Sequence, residues 1–282
     1  MEQQEDLKYE KRGYLNSEFR LFHIIDDTQK EFSYHYHDFD KIVIMIRGNV
    51  SYTIEGQTYP LKPYDIVFVR HNEIHRPVIH SKEVYERIII YISPGYISKY
   101  KTEDYDMGYC FERASAEHTS VLRIPTLQIH PLFKCIQTLE QSFHDTDYAA
   151  ALYQQIIFLE FMIHLNRAMR SGTLDYLHNA SSNSRILKIV QYINTHLTED
   201  LSIEHIADTF FMSRYHMMRT FKKETGYSIG NYILQKRLAL AKKLLSEGMP
   251  ATLVCYQCGF KDYSNFSRHY KKFFQETPKE AK

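Results

Sequence analysis

Residues 202–228 read SIEHIADTFFMSRYHMMRTFKKETGYS, and this segment indicates how the C-terminal third of the chain folds. Ser202 and Ser213 each precede a short amphipathic run, and a serine side chain is a favoured N-cap of a helix. Only a few residues around Phe211 separate the two runs, which predicts two short helices joined by a tight turn. The second helix would carry Arg214 and Arg219 among polar residues. Two such helices form the helix-turn-helix pattern.

The same pattern returns further along the chain. Residues 219–223 read Arg-Thr-Phe-Lys-Lys, and residues 268–272 read Arg-His-Tyr-Lys-Lys, 49 positions later. Asp262 can cap the second helix of this repeat. Residues 229–245, between the repeats, predict one amphipathic helix about 25 Å long. A helix of this length can place two recognition helices about one DNA turn apart, about 34 Å, in successive major grooves.

The C-terminal third is basic, although the whole chain of 282 residues has a net charge of only +1. Residues 184–282 contain 16 lysines and arginines against nine acidic residues, a net charge of +7, whereas residues 1–183 carry −6. A basic segment on an acidic body predicts a polyanionic partner for that segment. Double-stranded DNA fits both this charge and the helix-turn-helix pattern.

Residues 184–280 resemble the DNA-binding domain of the AraC/XylS family of transcription regulators. The resemblance rests on the run from Arg219 to Ser228, on Arg237 to Leu245, and on Gln257-Cys258-Gly259-Phe260 followed by Phe266-Ser267-Arg268. It implies an all-α domain over residues 185–282 whose two recognition helices read bases through a few early positions. Those positions hold Arg214, Tyr215, Met218 and Arg219 in the first helix and Tyr263, Ser264, Asn265, Ser267 and Arg268 in the second.

The residue types at these positions suit different contacts. Arg219 and Arg268 can each donate a fork of hydrogen bonds to guanine, and Asn265 suits adenine. The alternative for each arginine is a phosphate contact or a solvated side chain. Phe211 departs from the family pattern: it stands in the first turn where Gly or Asn is common, so a bulky residue is expected at positive φ.

The N-terminal half predicts short strands separated by turns. Residues 50–54 and 58–61 flank Glu55-Gly56-Gln57 as a hairpin, and residues 66–69 and 88–92 are further strands. Many short strands at regular spacing indicate a sandwich or barrel. Residues 98–127 show no clear pattern.

Residues 131–170 predict a pair of helices. Leu132, Cys135, Ile136, Leu139 and Phe143 share one face of the first helix. Asp145 or Asp147 is expected to cap the second helix, in which Leu152, Ile156, Leu159 and Ile163 share a face. That face packs either into the core of the domain or against a second subunit.

The N-terminal half also resembles the cupin-like barrel that precedes this DNA-binding domain in many sugar-responsive regulators. The matching residues are His35-Tyr36-His37, Gly48, Pro63-Tyr64-Asp65 and residues 72–77. The chain is therefore expected to be an α+β protein of two domains. Residues 1–170 form the effector-binding and dimerisation domain (barrel about 18–97, helical pair about 131–170), residues 171–184 a linker, and residues 185–282 the DNA-binding domain.

The barrel is expected to bind a small polar effector, such as a carbohydrate, through His35, His37, Lys41, His75 and Arg87. Their donors and acceptors, together with tyrosine rings, suit a sugar-like molecule. Metal-binding cupins carry a Glu four residues after the second His, where this chain has Lys41, and an ammonium group cannot ligate a metal. No cofactor is therefore expected, and His35, His37 and His75 would be the ligands if a metal were present. Cys255 and Cys258 lack a second Cys or His pair at zinc spacing.

These observations predict a sequence-specific transcription activator that has no catalytic residues. Its expected partners are double-stranded DNA, a small-molecule effector, RNA polymerase and a second copy of the chain. The first alternative is a metal-dependent cupin enzyme, an oxygenase or isomerase, with a nucleic-acid-binding appendage. The second is a regulator that responds to a partner protein. A charged N-terminus, four irregularly spaced cysteines and the lack of an apolar run of about 18 residues favour the cytoplasm and no membrane contact.

Overall fold

The structure is a computed structural model that describes residues 13–26, 31–124, 127, 130–171, 175–177 and 184–281. The chain divides into two compact units: the first holds the described residues of 1–54 and 58–180, and the second those of 55–57 and 181–282. The first unit is rich in strands and the second is helical, which confirms the predicted α+β class. Among the described residues, no helix is long and apolar enough to cross a membrane.

The first unit contains two sheets. The six-stranded sheet has the order β1-β7-β2-β5-β8-β9, and the three-stranded sheet has the order β4-β3-β6. The strands are β1 (Phe19–Asp26), β2 (Asp40–Arg47), β3 (Val50–Ile54), β4 (Gln57–Pro60), β5 (Ile66–Val69), β6 (His75–Ile79), β7 (Tyr85–Ile92), β8 (Val121–Arg123) and β9 (Asp175–Tyr176). The predicted hairpin and the two predicted strands that follow it are confirmed.

The six-stranded sheet is covered on both faces, and this explains its continuous apolar runs. Side chains alternate along a strand. In β2, Ile42 and Ile44 therefore join the core beneath the helices, whereas Val43 and Met45 join Tyr52 in the core between the two sheets.

Four helices accompany the sheets: α1 (Pro94–Ser98), α2 (Tyr109–Ala116), α3 (Pro131–Ser142) and α4 (Ala150–Arg170). The predicted apolar face of α3 is confirmed, since Leu132, Cys135, Ile136 and Leu139 are buried. The region that showed no pattern holds α2 and β8.

The cap predicted for α4 is wrong, and of the two alternatives for its apolar face, packing into the core is contradicted for Leu152 and Ile156. Its N-cap is Ala149 at φ +60°, not Asp145 or Asp147. Its buried face consists of Ile157, Phe158, Phe161, Met162 and Leu165, whereas Leu152 and Ile156 are 57% and 53% exposed. The stripe with the larger rings faces the sheet, because it removes more apolar area from water.

Most of the predicted linker at 171–184 lies outside the described residues. Within it, β9 pairs antiparallel with β8, with Leu122 opposite Tyr176. The first unit therefore extends to this edge strand, beyond the predicted boundary at residue 170.

The second unit is built from α5 (Ser184–Thr195), α6 (Ile203–Thr209), α7 (Arg214–Thr225), α8 (Ile229–Ser246), α9 (Ala251–Gln257) and α10 (Tyr263–Phe274). The predicted caps are confirmed. Ser202 accepts from the backbone N–H of His205, Ser213 from that of His216, and Asp262 from those of Ser264 and Asn265.

A separate core holds the second helix-turn-helix together. Leu238, Ala241 and Leu245 of α8 pack with Cys255, Cys258, Phe266 and Tyr270. Both thiols are fully buried, and burial raises the pKa of Cys258 to about 12. A buried protonated thiol behaves as a small apolar side chain.

Candidate functional site

The first recognition helix, α7, presents the predicted residues to solvent. Met217, Phe221 and Thr225 form its buried face. Tyr215 is 72% exposed, Met218 is 41% exposed, and Arg214 and Arg219 are exposed as well. The structure thus brings all four predicted residues of this helix to its outer side.

Arg214 has a local partner. Its Nη1 lies 2.8 Å from Oε1 of Glu204 in α6, and both side chains are largely exposed. Exposed ion pairs contribute little to stability. The pair instead orients the guanidinium across the two helices of the first helix-turn-helix.

The second recognition helix, α10, has the same design. Phe266 and Tyr270 are buried, while Ser264, Asn265 and Arg268 are exposed and Tyr263 and Ser267 are half-buried. Arg268 Nη2 donates to Oδ1 of Asn265 at 2.9 Å. Because these two residues are three apart on a helix, they form one hydrogen-bonding face.

The two turns reach the same left-handed conformation with different residues. Phe211 has φ +51° and Gly259 has φ +78°. The prediction of positive φ at Phe211 is confirmed, and its ring is 94% exposed.

Arg237 of α8 was not singled out by the sequence analysis as a structural residue. Its guanidinium donates to the carbonyl oxygens of Leu197 at 2.8 Å, Glu199 at 2.7 Å and Gly259 at 2.8 Å. One side chain therefore joins the loop after α5 to the turn before α10. Only the position of Arg237 in a conspicuous helix motif hinted at this role.

The first unit contains a cavity of about 220 Å³ that is lined by polar and aromatic side chains. Four of the five predicted effector residues line it: His35, His37, Lys41 and Arg87. His75 lies directly beside two of them, with its ring centroid 4.4 Å from that of His35 and 4.9 Å from that of His37.

Strand register explains why these residues meet. In the pairing of β2 with β7, Lys41 lies opposite Tyr91, Val43 opposite Ile89 and Met45 opposite Arg87. Alternate residues of β7 therefore face the cavity, which adds Tyr85 and Tyr91 to its lining. These two tyrosines and Tyr52 were not predicted; the period of two in residues 85–91 was the signal that could have found them.

Hydrogen bonds define the orientation of two histidines. Nδ1 of His35 lies 2.9 Å from the carbonyl oxygen of Ser33, and Nδ1 of His75 lies 2.9 Å from that of Glu73. A carbonyl accepts, so Nδ1 of each ring carries a proton that it donates. Burial, followed by the charge of Lys41, lowers the pKa of His75 well below its usual 6.5. His75 is neutral at physiological pH.

The three histidines have the spacing of a metal site but not its charge. One ring nitrogen of each lies within 4.8 Å of the others, and no acidic side chain joins this group within the described residues. The cations Lys41 and Arg87 share the cavity. Arg87 is paired with Asp26, but the ammonium of Lys41 would repel a divalent cation here, so these residues do not fit a resident metal.

The two cations of the cavity have different partners. Arg87 Nη1 lies 2.7 Å from Oδ2 of Asp26 and donates to the carbonyl oxygen of Tyr85 at 3.1 Å. Lys41 Nζ donates to the hydroxyl of Tyr52 at 3.0 Å. Burial, followed by the charge of Arg87, lowers the pKa of Lys41 to about 7. The cavity thus offers both hydrogen-bond donors and aromatic rings.

Comparisons with known proteins agree with this architecture. A family described as an AraC-like ligand binding domain matches residues 21–156, and a helix-turn-helix domain family matches residues 206–282. The chain is 25% identical over 255 residues to the HTH-type transcriptional activator RhaS of Enterobacter sp. (strain 638), covering 90% of this chain and 88% of that protein. RhaS of Escherichia coli (strain SMS-3-5 / SECEC) is 23% identical over the same shares.

Solved structures include the C-terminal domain of the two-component response regulator yesN from Fusobacterium nucleatum. It shares 30% identity over 36% of this chain and 98% of that domain, with a TM-score of 0.34. The two family matches take in both the cavity and the two recognition helices. This chain belongs to the AraC/XylS family of DNA-binding transcription regulators.

Proposed function

We propose that this protein is a sequence-specific transcription activator whose DNA binding is controlled by a small polar metabolite in the cavity of the first unit. The observation that carries the proposal is the pair of capped recognition helices, α7 and α10, with their outer residues exposed. The helix between them, α8, has 18 residues, which corresponds to roughly 27 Å. This length suits two recognition helices in successive major grooves.

The role of an activator is supported by the RhaS proteins, which are named transcriptional activators. An activator acts on RNA polymerase, which is therefore the proposed protein partner at the promoter. The effector is proposed to be a carbohydrate or a related polar molecule, because the imidazole and tyrosine rings offer both hydrogen bonds and stacking.

The exposed face of α4 supports a homodimer. Leu152 and Ile156 lie one turn apart, with Tyr148 and Tyr153 also exposed beside them in sequence. An apolar patch of this kind on a helix is typical of an interaction surface. A second copy of the chain would bury it through an isologous contact.

The proposed base readers can be tested by selecting binding sites for the purified protein from random duplexes and then comparing variants. We expect Arg219→Ala and Arg268→Ala each to lose about 1–3 kcal/mol of specific binding and to relax the preference at one base pair. Lys223→Ala is the matched control, since a phosphate contact weakens all sequences uniformly. Uniform weakening by the arginine variants would assign them to phosphates instead.

A further inference from the structure

We propose that the effector carries a single carboxylate group and that Lys41, assisted by Arg87, holds this group in the cavity. The inference rests on the proposed function only in taking the cavity as the effector site. It narrows the ligand from a neutral carbohydrate to an acidic one, such as a uronic acid or another hydroxy acid.

The charges of the cavity are unbalanced. Arg87 is compensated by Asp26 at 2.7 Å. Lys41 is 5% exposed, and its ammonium donates to the hydroxyl of Tyr52 with no acidic partner among the described residues. The neighbouring acid, Asp40, instead accepts from the backbone N–H and from the ring of His71, both at 2.8 Å. When it is protonated, Lys41 therefore places in the cavity a positive charge that no acidic side chain of the described residues compensates.

A buried ammonium without a counterion is unfavourable, and proteins rarely keep one unless it has a use. The pKa of Lys41 is lowered to about 7 for the same reason, because burial disfavours the charged ammonium. A carboxylate beside Nζ would compensate the charge and restore the ammonium form. A neutral sugar would leave the charge unbalanced.

The size of the uncompensated charge in the cavity favours a carboxylate over a phosphate as the group that binds Lys41. A phosphate group carries about −1.5 to −2 at pH 7, which exceeds the single uncompensated charge, whereas a carboxylate carries −1. The remaining groups suit hydroxyls, because Nε2 of His75 is buried without a hydrogen-bond partner in the described part of the chain. Tyr52, Tyr85 and Tyr91 supply aromatic rings to the cavity lining.

The experiment is a thermal-shift and calorimetric comparison of matched probes on the full-length protein. The pairs are galacturonate with galactose, glucuronate with glucose, and glycolate with glycolamide; glucose 6-phosphate is the phosphate probe. We expect the acid of at least one pair to stabilise the protein while its neutral partner does not, because a ligand that binds the folded state raises the unfolding temperature. Lys41→Met should weaken the binding of that acid about tenfold or more, since charge-assisted hydrogen bonds are stronger than those between neutral groups.

Lys82→Met, at an exposed position outside the cavity, is the control and should leave the affinity unchanged. Without ligand, Lys41→Met should unfold at the same temperature as the wild type or higher, because it removes an uncompensated buried charge; this readout shows that the variant folds. Three outcomes would overturn the proposal. They are equal or better binding of the neutral partners, stronger binding of the phosphate, and no response to any of the acids at concentrations up to about 50 mM. DNA binding by the same preparation, measured without probe, tests the proposed function separately.

Discussion

Arg237 of α8 donates a hydrogen bond of 2.8 Å from Nη1 to the carbonyl oxygen of Gly259, in the turn of the second helix-turn-helix. The same guanidinium binds the carbonyl oxygens of Leu197 and Glu199 in the loop after α5. The contact couples the two halves of the DNA-binding unit through one side chain. The relative placement of α7 and α10 therefore depends on this cluster as well as on the length of α8.

Gly259→Ala should destabilise the second unit by about 2 kcal/mol or more. The residue has φ +78°, and an added Cβ would lie 2.8 Å from Cζ of Arg237 and 2.9 Å from the carbonyl oxygen of Leu197. Gly248→Ala is the control, because Gly248 has φ +88° with nothing within 4 Å and should lose only about 1–2 kcal/mol from backbone strain. Urea unfolding of both variants gives the comparison, and equal losses would contradict the predicted clash.

Phe211→Asn should stabilise the protein by about 0.5–1 kcal/mol. Phe211 adopts φ +51° in the first turn and its side chain is 94% exposed. Asn tolerates the left-handed region better than a bulky residue does, and little packing is lost. Thermal unfolding measures the change. A loss of stability would mean that the ring makes a contact that offsets the backbone strain.

Leu152→Glu should convert the proposed dimer into a monomer. A carboxylate on the exposed face of α4 would have to be desolvated at the interface. Sedimentation velocity measures the oligomeric state. Ile25→Glu is the control, because Ile25 is also an exposed apolar residue (60%) but lies on β1 and not on α4. If both variants behave as the wild type does, α4 is not the dimer interface.

His23 should make the stability of the first unit depend on pH. Its Nδ1 lies 2.6 Å from Glu140 of α3 and its Nε2 lies 3.0 Å from Glu86 of β7. Burial lowers the pKa of His23, but the hydrogen bonds and charges of the two glutamates outweigh burial and raise it above 6.5. The charged ring therefore contributes stability that is fully present below pH 6.5 and is lost as the pH rises through the raised pKa.

The measurement is urea unfolding of His23→Gln and wild type at pH 6 and pH 9. The variant should lose more stability at pH 6 than at pH 9. His80→Gln, whose ring contacts the hydroxyl of Ser51, is the control for removing an imidazole. A loss that is the same at both pH values would show that the His23 contacts do not depend on its charge.

The local features of this chain could be predicted from its sequence. Ser202, Ser213 and Asp262 begin their helices as expected, because a cap satisfies backbone N–H groups only two or three residues away. The strand around Tyr52 followed from alternation with a period of two, and the strand at residues 88–92 from a short apolar run. The repeated Arg-x-aromatic-Lys-Lys pattern predicted two recognition helices, since each repeat is a complete local unit.

Long-range packing decided the rest. The sequence of α4 carries two apolar stripes, and only the presence of the sheet shows that Phe158 and Phe161 are buried while Leu152 and Ile156 remain exposed. Arg237 reaches carbonyl groups 38 to 40 residues before it and 22 residues after it. Every residue has a backbone carbonyl, so the residue type does not show which carbonyl accepts a hydrogen bond and no sequence pattern predicts such a contact. The position of Lys41 opposite Tyr91, beside Arg87 and the histidines, likewise follows from strand register, which brings together residues that are far apart in the chain.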